Sequence, residues 1–166
     1  MVKTHRDTIS VNDCQVLAHY QFEADQYIIT LESKEIADST RPGQFVHLSV
    51  SGMLAMRRPI SVMSVDADNG TFDLLYKIVG EGTKQLADRR IGDVLSVIGP
   101  IGNGFELTDR KIPLLIGGGV GMPPMIAIAQ KIKDNAYYNP YVILGSEVPF
   151  PFEASQSSLN GFNSSK

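Results

Sequence analysis

Cysteine is almost absent from this chain: Cys14 is the only one among 166 residues. A lone thiol cannot close an internal disulfide, nor can it supply a four-cysteine iron–sulfur cluster or a cysteine-rich zinc site. It accords with a reducing compartment, and a cytoplasmic location is the expectation. Histidine is scarce as well, and His5, His19 and His47 show no metal-ligand spacing. His47, inside a strand-like run, reads as a partnered structural residue. No apolar stretch approaches the roughly 20 residues that span a bilayer. The opening Met1-Val2-Lys3-Thr4-His5-Arg6-Asp7 leads into no such stretch, so neither a membrane span nor a signal peptide is expected. Neither sign of charge dominates. A net charge of -3 gives no basic footprint for nucleic acid. Nucleophile-elbow and zincin patterns are missing, and Asp13, Asp25, Asp66, Asp68 and Asp88 are scattered and read as solvated. There is no internal repeat.

What is present is ordinary globular material. Hydrophobic residues make up 43% and charged residues 20%, enough for a core in one or two domains. Residues 8–20 read as extended, and 27–31, β-branched and aromatic, as a second strand. Arg41-Pro42-Gly43 is a turn, and 44–50 alternate with the strand period of two, with the buried face left open. Asp68-Asn69-Gly70 is a hairpin turn, because Asn and Gly tolerate positive φ; it joins 61–65 to 71–79. Residues 83–89 form a short helix, and 93–98 a strand closed by Gly99-Pro100. Six short strands with one small helix predict a six-stranded antiparallel Greek-key barrel.

The pattern then changes. Residues 112–116 form a continuous apolar run, as in a strand buried on both faces. Glycines follow, then a helix over 122–133 with Met125, Ile126, Ala129 and Ile132 on one face. Another buried strand follows at 141–144, so this part predicts a parallel βαβ unit. The expected division is residues 1–108 as barrel, 109–152 as a partial nucleotide-binding domain and 153–166 as a polar, disordered tail. Two parallel strands and one helix make an incomplete doubly wound sheet, and a flank of apolar surface is left for another chain or a missing segment to cover.

Several stretches carry possible chemistry. In Arg57-Arg58-Pro59-Ile60-Ser61, a guanidinium at Arg58 offers a planar donor fork for phosphate oxygens. Pro59 stiffens the entry to the next strand, and Ser61 adds a hydroxyl. The plain alternative is a surface charge pair. Gly80-Glu81-Gly82-Thr83 ends a strand and opens a helix; its N–H groups suit a phosphate near Arg58, or Thr83 is simply a helix cap. Gly117-Gly118-Gly119-Val120-Gly121-Met122-Pro123-Pro124 follows a strand and opens a helix, where bare backbone and a favourable dipole suit a pyrophosphate. It departs from G-x-G-x-x-G because Met122 fills the last glycine position. The turn-rich 99–105 reads as a corner between domains, with Phe105 as a cofactor shield the lesser alternative.

In this order the pieces resemble the ferredoxin–NADP reductase superfamily, and within it the dihydroorotate dehydrogenase B electron transfer subunits. Arg58-Pro59-Ile60-Ser61 is similar to the flavin motif, Leu75-Tyr76-Lys77 to the second flavin segment and Gly82-Thr83 to the third. Gly117, Gly119, Gly121 and Pro124 match the nicotinamide-nucleotide motif. The resemblance implies that the barrel binds FAD, with Arg58 and the Gly82-Thr83 amides on its diphosphate. It places Ser61 near the reactive flavin nitrogen and Tyr76 against the ribityl chain or ring. It implies an NAD(P) site on the glycine loop, hydride transfer in the interdomain cleft, and a catalytic dehydrogenase subunit or other redox partner. Relatives carry a cysteine-rich segment for a [2Fe-2S] cluster, which this chain lacks, and the second half of the nucleotide domain is also missing, so a C-terminally shortened version is expected. Isolated turnover is therefore an open question. The alternatives are a non-catalytic docking module, or a reductase subunit for a hydrogenase or sulfur-reducing complex.

Overall fold

Alternation up to Val16, interrupted by a bulge at Leu17, builds a long strand, β1 (Ser10–Phe22), whose Cys14 and Val16 face inward and are fully buried. The computed structural model describes residues 9–50, 56–107, 109 and 111–152. The expected tail at 153–166 and His5 lie outside them. A 3-10 turn (Glu23–Asp25) reverses the chain into β2 (Gln26–Glu32). Then follow α1 (Lys34–Ser39), β3 (Phe45–Leu48), β4 (Arg58–Asp66), β5 (Thr71–Lys77), α2 (Glu81–Ala87) and β6 (Val94–Ile101).

The six strands close into a barrel in the order β1-β2-β5-β4-β3-β6, every pair antiparallel. This is the expected Greek-key barrel. Its interior is filled by one cluster that includes Val16, Ile29, Leu31, Val46, Leu48, Val62, Phe72, Leu74, Leu86 and Val97. The question left open for 44–50 resolves here: Val46 and Leu48 point inward, while Phe45 and His47 are half-buried on the other side. The β4–β5 hairpin turns where expected. The Asp66 carboxylate accepts from the Asn69 backbone N–H at 3.0 Å and from its side-chain amide at 2.7 Å, and Gly70 takes φ 68.

Two expectations for the barrel need correction. Among the described residues it carries two α-helices, not one. Ser33 caps α1, its hydroxyl accepting from the Ile36 N–H at 3.3 Å, and Ile36 and Ala37 are buried beneath it. Strand β6 does not stop at Gly99-Pro100 but runs through them to Ile101. A Cβ on Gly99 would stand 2.6 Å from Val46 Cγ1, so the bare backbone lets the neighbouring strands close up.

Beyond the barrel, β7 (Leu114–Gly118) and β8 (Tyr141–Gly145) pair in parallel across α3 (Met122–Ile132). This is the expected βαβ unit, but neither strand is buried on both faces. In β7 only Leu115 and Gly117 are buried; Leu114 and Ile116 are 58% and 62% exposed. Tyr141, Val142 and Ile143 are exposed too. The reason is geometric: one helix covers one face of a two-stranded sheet, and the other face meets no described element. The helix itself uses two faces. Ile128 and Ile132 pack with Leu115, while Met122 packs with Met63 and Leu75 of the barrel, supported by Ile126, Leu144 and Phe152. The single stripe expected of α3 is thus two stripes, because the helix is wedged between barrel and sheet.

Phe72 is fully buried at the centre of the core. Phe72→Ala is expected to lower stability in urea unfolding by about 3–5 kcal/mol. Burial pushes the Cys14 thiol up from 9.0 to about 12. It stays protonated in the folded chain at pH values where the unfolded chain would release its proton. Its contribution to stability is therefore intact below pH 9.0 and is lost as pH rises toward about 12. Native protein should resist a thiol-reactive chromogen at pH 8 and react fully in denaturant.

Candidate functional site

Two adjacent arginines enter β4, and the fold gives them different surroundings. The Arg57 guanidinium is tied down: Nη1 donates to the Ser96 carbonyl at 2.7 Å and Nη2 to Ser96 Oγ at 3.0 Å. Arg58 has no hydrogen-bond or ion-pair partner among the described residues. It lies instead against Gly82. A Cβ on Gly82 would stand 1.8 Å from Arg58 Nε and 2.6 Å from Cζ, so only a glycine leaves room for this guanidinium. The helix-opening segment and Arg58, paired on sequence grounds alone, therefore meet.

The opening N–H groups of a helix have no intrahelical acceptor. Thr83 Oγ1 accepts those of Val79 at 2.9 Å and Gly80 at 3.3 Å and donates to the Gly80 carbonyl at 3.0 Å. The Thr83 hydroxyl thus acts as a cap, and the N–H groups of Glu81 and the buried Gly82 have no acceptor among the described residues. A half-buried, unpaired cation beside open N–H groups suits a dianionic diphosphate. The same donor set suits the diphosphate of a flavin dinucleotide.

The rest of the first motif divides by strand alternation. Ile60 joins the core, Pro59 is exposed, and Ser61 is half-buried opposite Phe45 on the face that leads to Met63. The second segment borders a cavity of about 580 Å³ between barrel and βαβ unit. Its wall includes Leu75, Tyr76 and Lys77 on one side, and Gly118, Gly119 and Ser146 on the other. The cleft thus brings the second segment against the glycine turn and the end of β8. The Tyr76 hydroxyl does not point freely into it. It bonds His19 Nε2 at 2.8 Å, and its ring stacks on Tyr27 with centroids 5.4 Å apart. Burial, then the neighbouring Tyr27 and Asp88 charges, hold this phenol well above the ordinary range, so it remains protonated.

The glycine turn also divides. A Cβ on Gly117 would come within 2.9 Å of the Gly121 carbonyl and 3.0 Å of Met122 Cα, so this glycine serves the close packing of strand on helix. Gly119 takes φ 50 and Gly121 faces open space. Pro124 sits in the first turn of α3. Phe105 packs on Gly43, and its N–H donates to the Pro42 carbonyl at 2.8 Å, the corner arrangement rather than a shield over the cleft. Gln26 was not foreseen. It is buried and lines the cavity, and its amide donates to the Pro149 carbonyl at 2.8 Å, fastening the segment after β8 to the barrel. A lone glutamine at a strand start carries no sequence signature that could have marked it.

A closed antiparallel barrel carrying an unpaired arginine over a helix-opening glycine, with a glycine-turned βαβ unit against it, defines a ferredoxin reductase-like flavoprotein module. The solved NADH-dependent reduced ferredoxin-NADP oxidoreductase is similar to it at 27% identity and a TM-score of 0.76, covering 90% of this chain and 51% of that one. The ferredoxin reductase in carbazole 1,9a-dioxygenase shares the fold at 23% identity and a TM-score of 0.71, covering 83% of this chain and 43% of that one. The family model for the oxidoreductase FAD-binding domain matches residues 13–105, and the chain belongs to that family. Among curated proteins, it is 41% identical over 124 residues to the dihydroorotate dehydrogenase B (NAD(+)) electron transfer subunit of Lysinibacillus sphaericus, covering 72% of this chain and 48% of the relative. It is 36% identical over 123 residues to the same subunit of Enterococcus faecalis, covering 72% and 47%. The chain thus spans about half the length of these curated relatives.

Gly82→Ala would place a methyl where Arg58 now lies. Because Ala favours a helix over Gly, thermal stability should hold. FAD affinity, followed by flavin fluorescence, should fall about tenfold, the scale of one displaced charge-assisted hydrogen bond.

Proposed function

We propose that the chain is an FAD-binding electron-transfer unit that passes electrons between flavin and NAD(P)(H). It would work as the electron transfer subunit of a dihydroorotate dehydrogenase-like complex in pyrimidine biosynthesis, in the cytoplasm, with a catalytic dehydrogenase subunit as redox partner. The observation that carries the reading is the unpaired Arg58 guanidinium seated on Gly82. The names of the relatives support the finer assignment.

Bound FAD supplies the redox chemistry, exchanging electrons in pairs or singly. The chain's own residues bind and orient. Arg58 and the N–H groups from Gly82 would hold the diphosphate, the guanidinium offsetting part of its charge. Leu75 and Lys77 form the barrel side of the cleft, and Ser61 stands on the outer face of β4, opposite Phe45. Gly119, Gly121 and the head of α3 offer bare backbone and dipole to a second dinucleotide. Ser146 and Glu147 line the cavity at the end of β8, where a ribose hydroxyl would be read. In this reading residues 1–108 form the flavin domain and 109–152 part of a nucleotide domain. Flavin binding draws on a closed barrel, whereas nicotinamide chemistry draws on two parallel strands among the described residues.

One observation favours a second reading, a docking module. Leu114, Ile116, Tyr141 and Ile143 share the uncovered face of the β7–β8 sheet, each at least 41% exposed. The two readings part on a visible-absorbance titration. The first expects saturable uptake of FAD with a flavin spectrum and bleaching on NADH addition; a colourless chain that takes up no FAD leaves the second. Arg58→Ala is expected to weaken FAD binding about 10- to 100-fold, equivalent to roughly 1.5–3 kcal/mol for a hydrogen bond to a charged group. Arg57→Ala should lower thermal stability instead and leave FAD affinity near wild type.

A further inference from the structure

His19 has no place in any of the motifs, yet it bonds to both ends of the segment that carries Gly82. A register shift between Val16 and Ala18 makes Leu17 an extra residue in β1. Before the shift Val16 faces the core; after it, Ala18 pairs with Thr30 and His19 with Ile29, whose side chain is fully buried. The bulge therefore turns His19 inward, where uninterrupted alternation would have turned it out. Inside, it meets Tyr27 and Tyr76 with ring centroids 5.4 and 6.1 Å away.

Its two nitrogens reach two different elements. Nδ1 lies 2.8 Å from the Arg89 carbonyl, just past α2. A carbonyl only accepts, so Nδ1 carries the hydrogen. Nε2 then accepts from the Tyr76 hydroxyl at 2.8 Å. Tyr76 precedes the Gly80–Thr83 turn and Arg89 follows α2. One imidazole thus bridges the start and finish of the loop that sets Gly82 beneath Arg58. The Ile78 N–H, donating to the Asp25 carbonyl at 3.0 Å, adds a third tie at the start of the same loop.

We propose that His19 is a positioning residue for the diphosphate end of the flavin. By holding residues 76 and 89 together it fixes the height of the Gly82 backbone against the Arg58 guanidinium. It touches no cofactor itself. This deepens the flavin reading above and rests on it. A histidine suits the task because neutral imidazole presents one donor and one acceptor on a rigid ring.

The test uses the full chain with His19→Ala, His19→Gln, Tyr76→Phe, Arg58→Ala and the His19→Ala/Arg58→Ala pair. FAD affinity, thermal unfolding and amide hydrogen exchange over residues 77–89 are measured for each. His19→Ala should weaken FAD binding about tenfold, the scale of one lost ordering hydrogen bond, and speed exchange across that segment without FAD. His19→Gln, whose amide offers both an N–H donor and a carbonyl acceptor, should recover part of the affinity, and Tyr76→Phe should lose part of it. In the Arg58→Ala background His19→Ala should cost much less than alone, because the loop acts through the guanidinium. If His19→Ala does not fold, His19→Gln and Tyr76→Phe carry the comparison. Unchanged FAD affinity in a folded variant, or a loss fully additive with Arg58→Ala, overturns the proposal while leaving the flavin reading standing. A wild-type chain that takes up no FAD overturns both.

Discussion

An antiparallel sheet of six strands has two edges to protect, and β1 removes both. It is long enough to pair with β6 over Ser10 to Gln15 and with β2 over Gln15 to Phe22. Closing the ladder in this way leaves no open edge to pair with other chains. It also sets the place of everything else. The start of β4 and the loop after β5 come to the same end of the barrel, which is why Arg58 and Gly82 meet although they are far apart in the chain. The bulge within β1 is part of the same device, since one extra residue re-aims the second half of the strand and sends His19 under that loop.

The second organising contact is the wedge of α3. Met122 packs on Met63 and Leu75 while Ile128 and Ile132 pack on Leu115. A helix with two apolar faces joins the barrel to the βαβ unit and so determines the width of the cleft. Gln26 adds a polar fastening from the barrel to Pro149 across the same boundary. The cleft is built from an apolar hinge line and one buried amide, and the glycine turn borders it because α3 begins there.

Much of this was legible in the residue order. The hairpin at Asp68-Asn69-Gly70, the strand–glycine–helix succession at 114–132 and the change from short strands to βαβ all have local causes, and local causes show in sequence. Helix α1 was missed: Ser33 caps it ahead of the buried Ile36 and Ala37, but its six residues are too few to establish a helical period. The burial of β7 and β8 was misjudged for a different reason. A continuous apolar run says that a strand could be covered on both faces, not that a second layer is there to cover it.

The order of residues by itself determined the barrel, the βαβ unit and the candidate glycines, because turn chemistry and period-two alternation act over a few neighbours. The motif resemblance singled out Arg58, but the order of residues could not show what holds each of the two guanidiniums. That depended on which guanidinium reached Ser96 and which was left above a residue without a side chain. Nor could it show that the Tyr76 hydroxyl is engaged by His19. Those assignments belong to contacts between strands distant in the chain, and only closure of the barrel brings such partners within hydrogen-bonding distance.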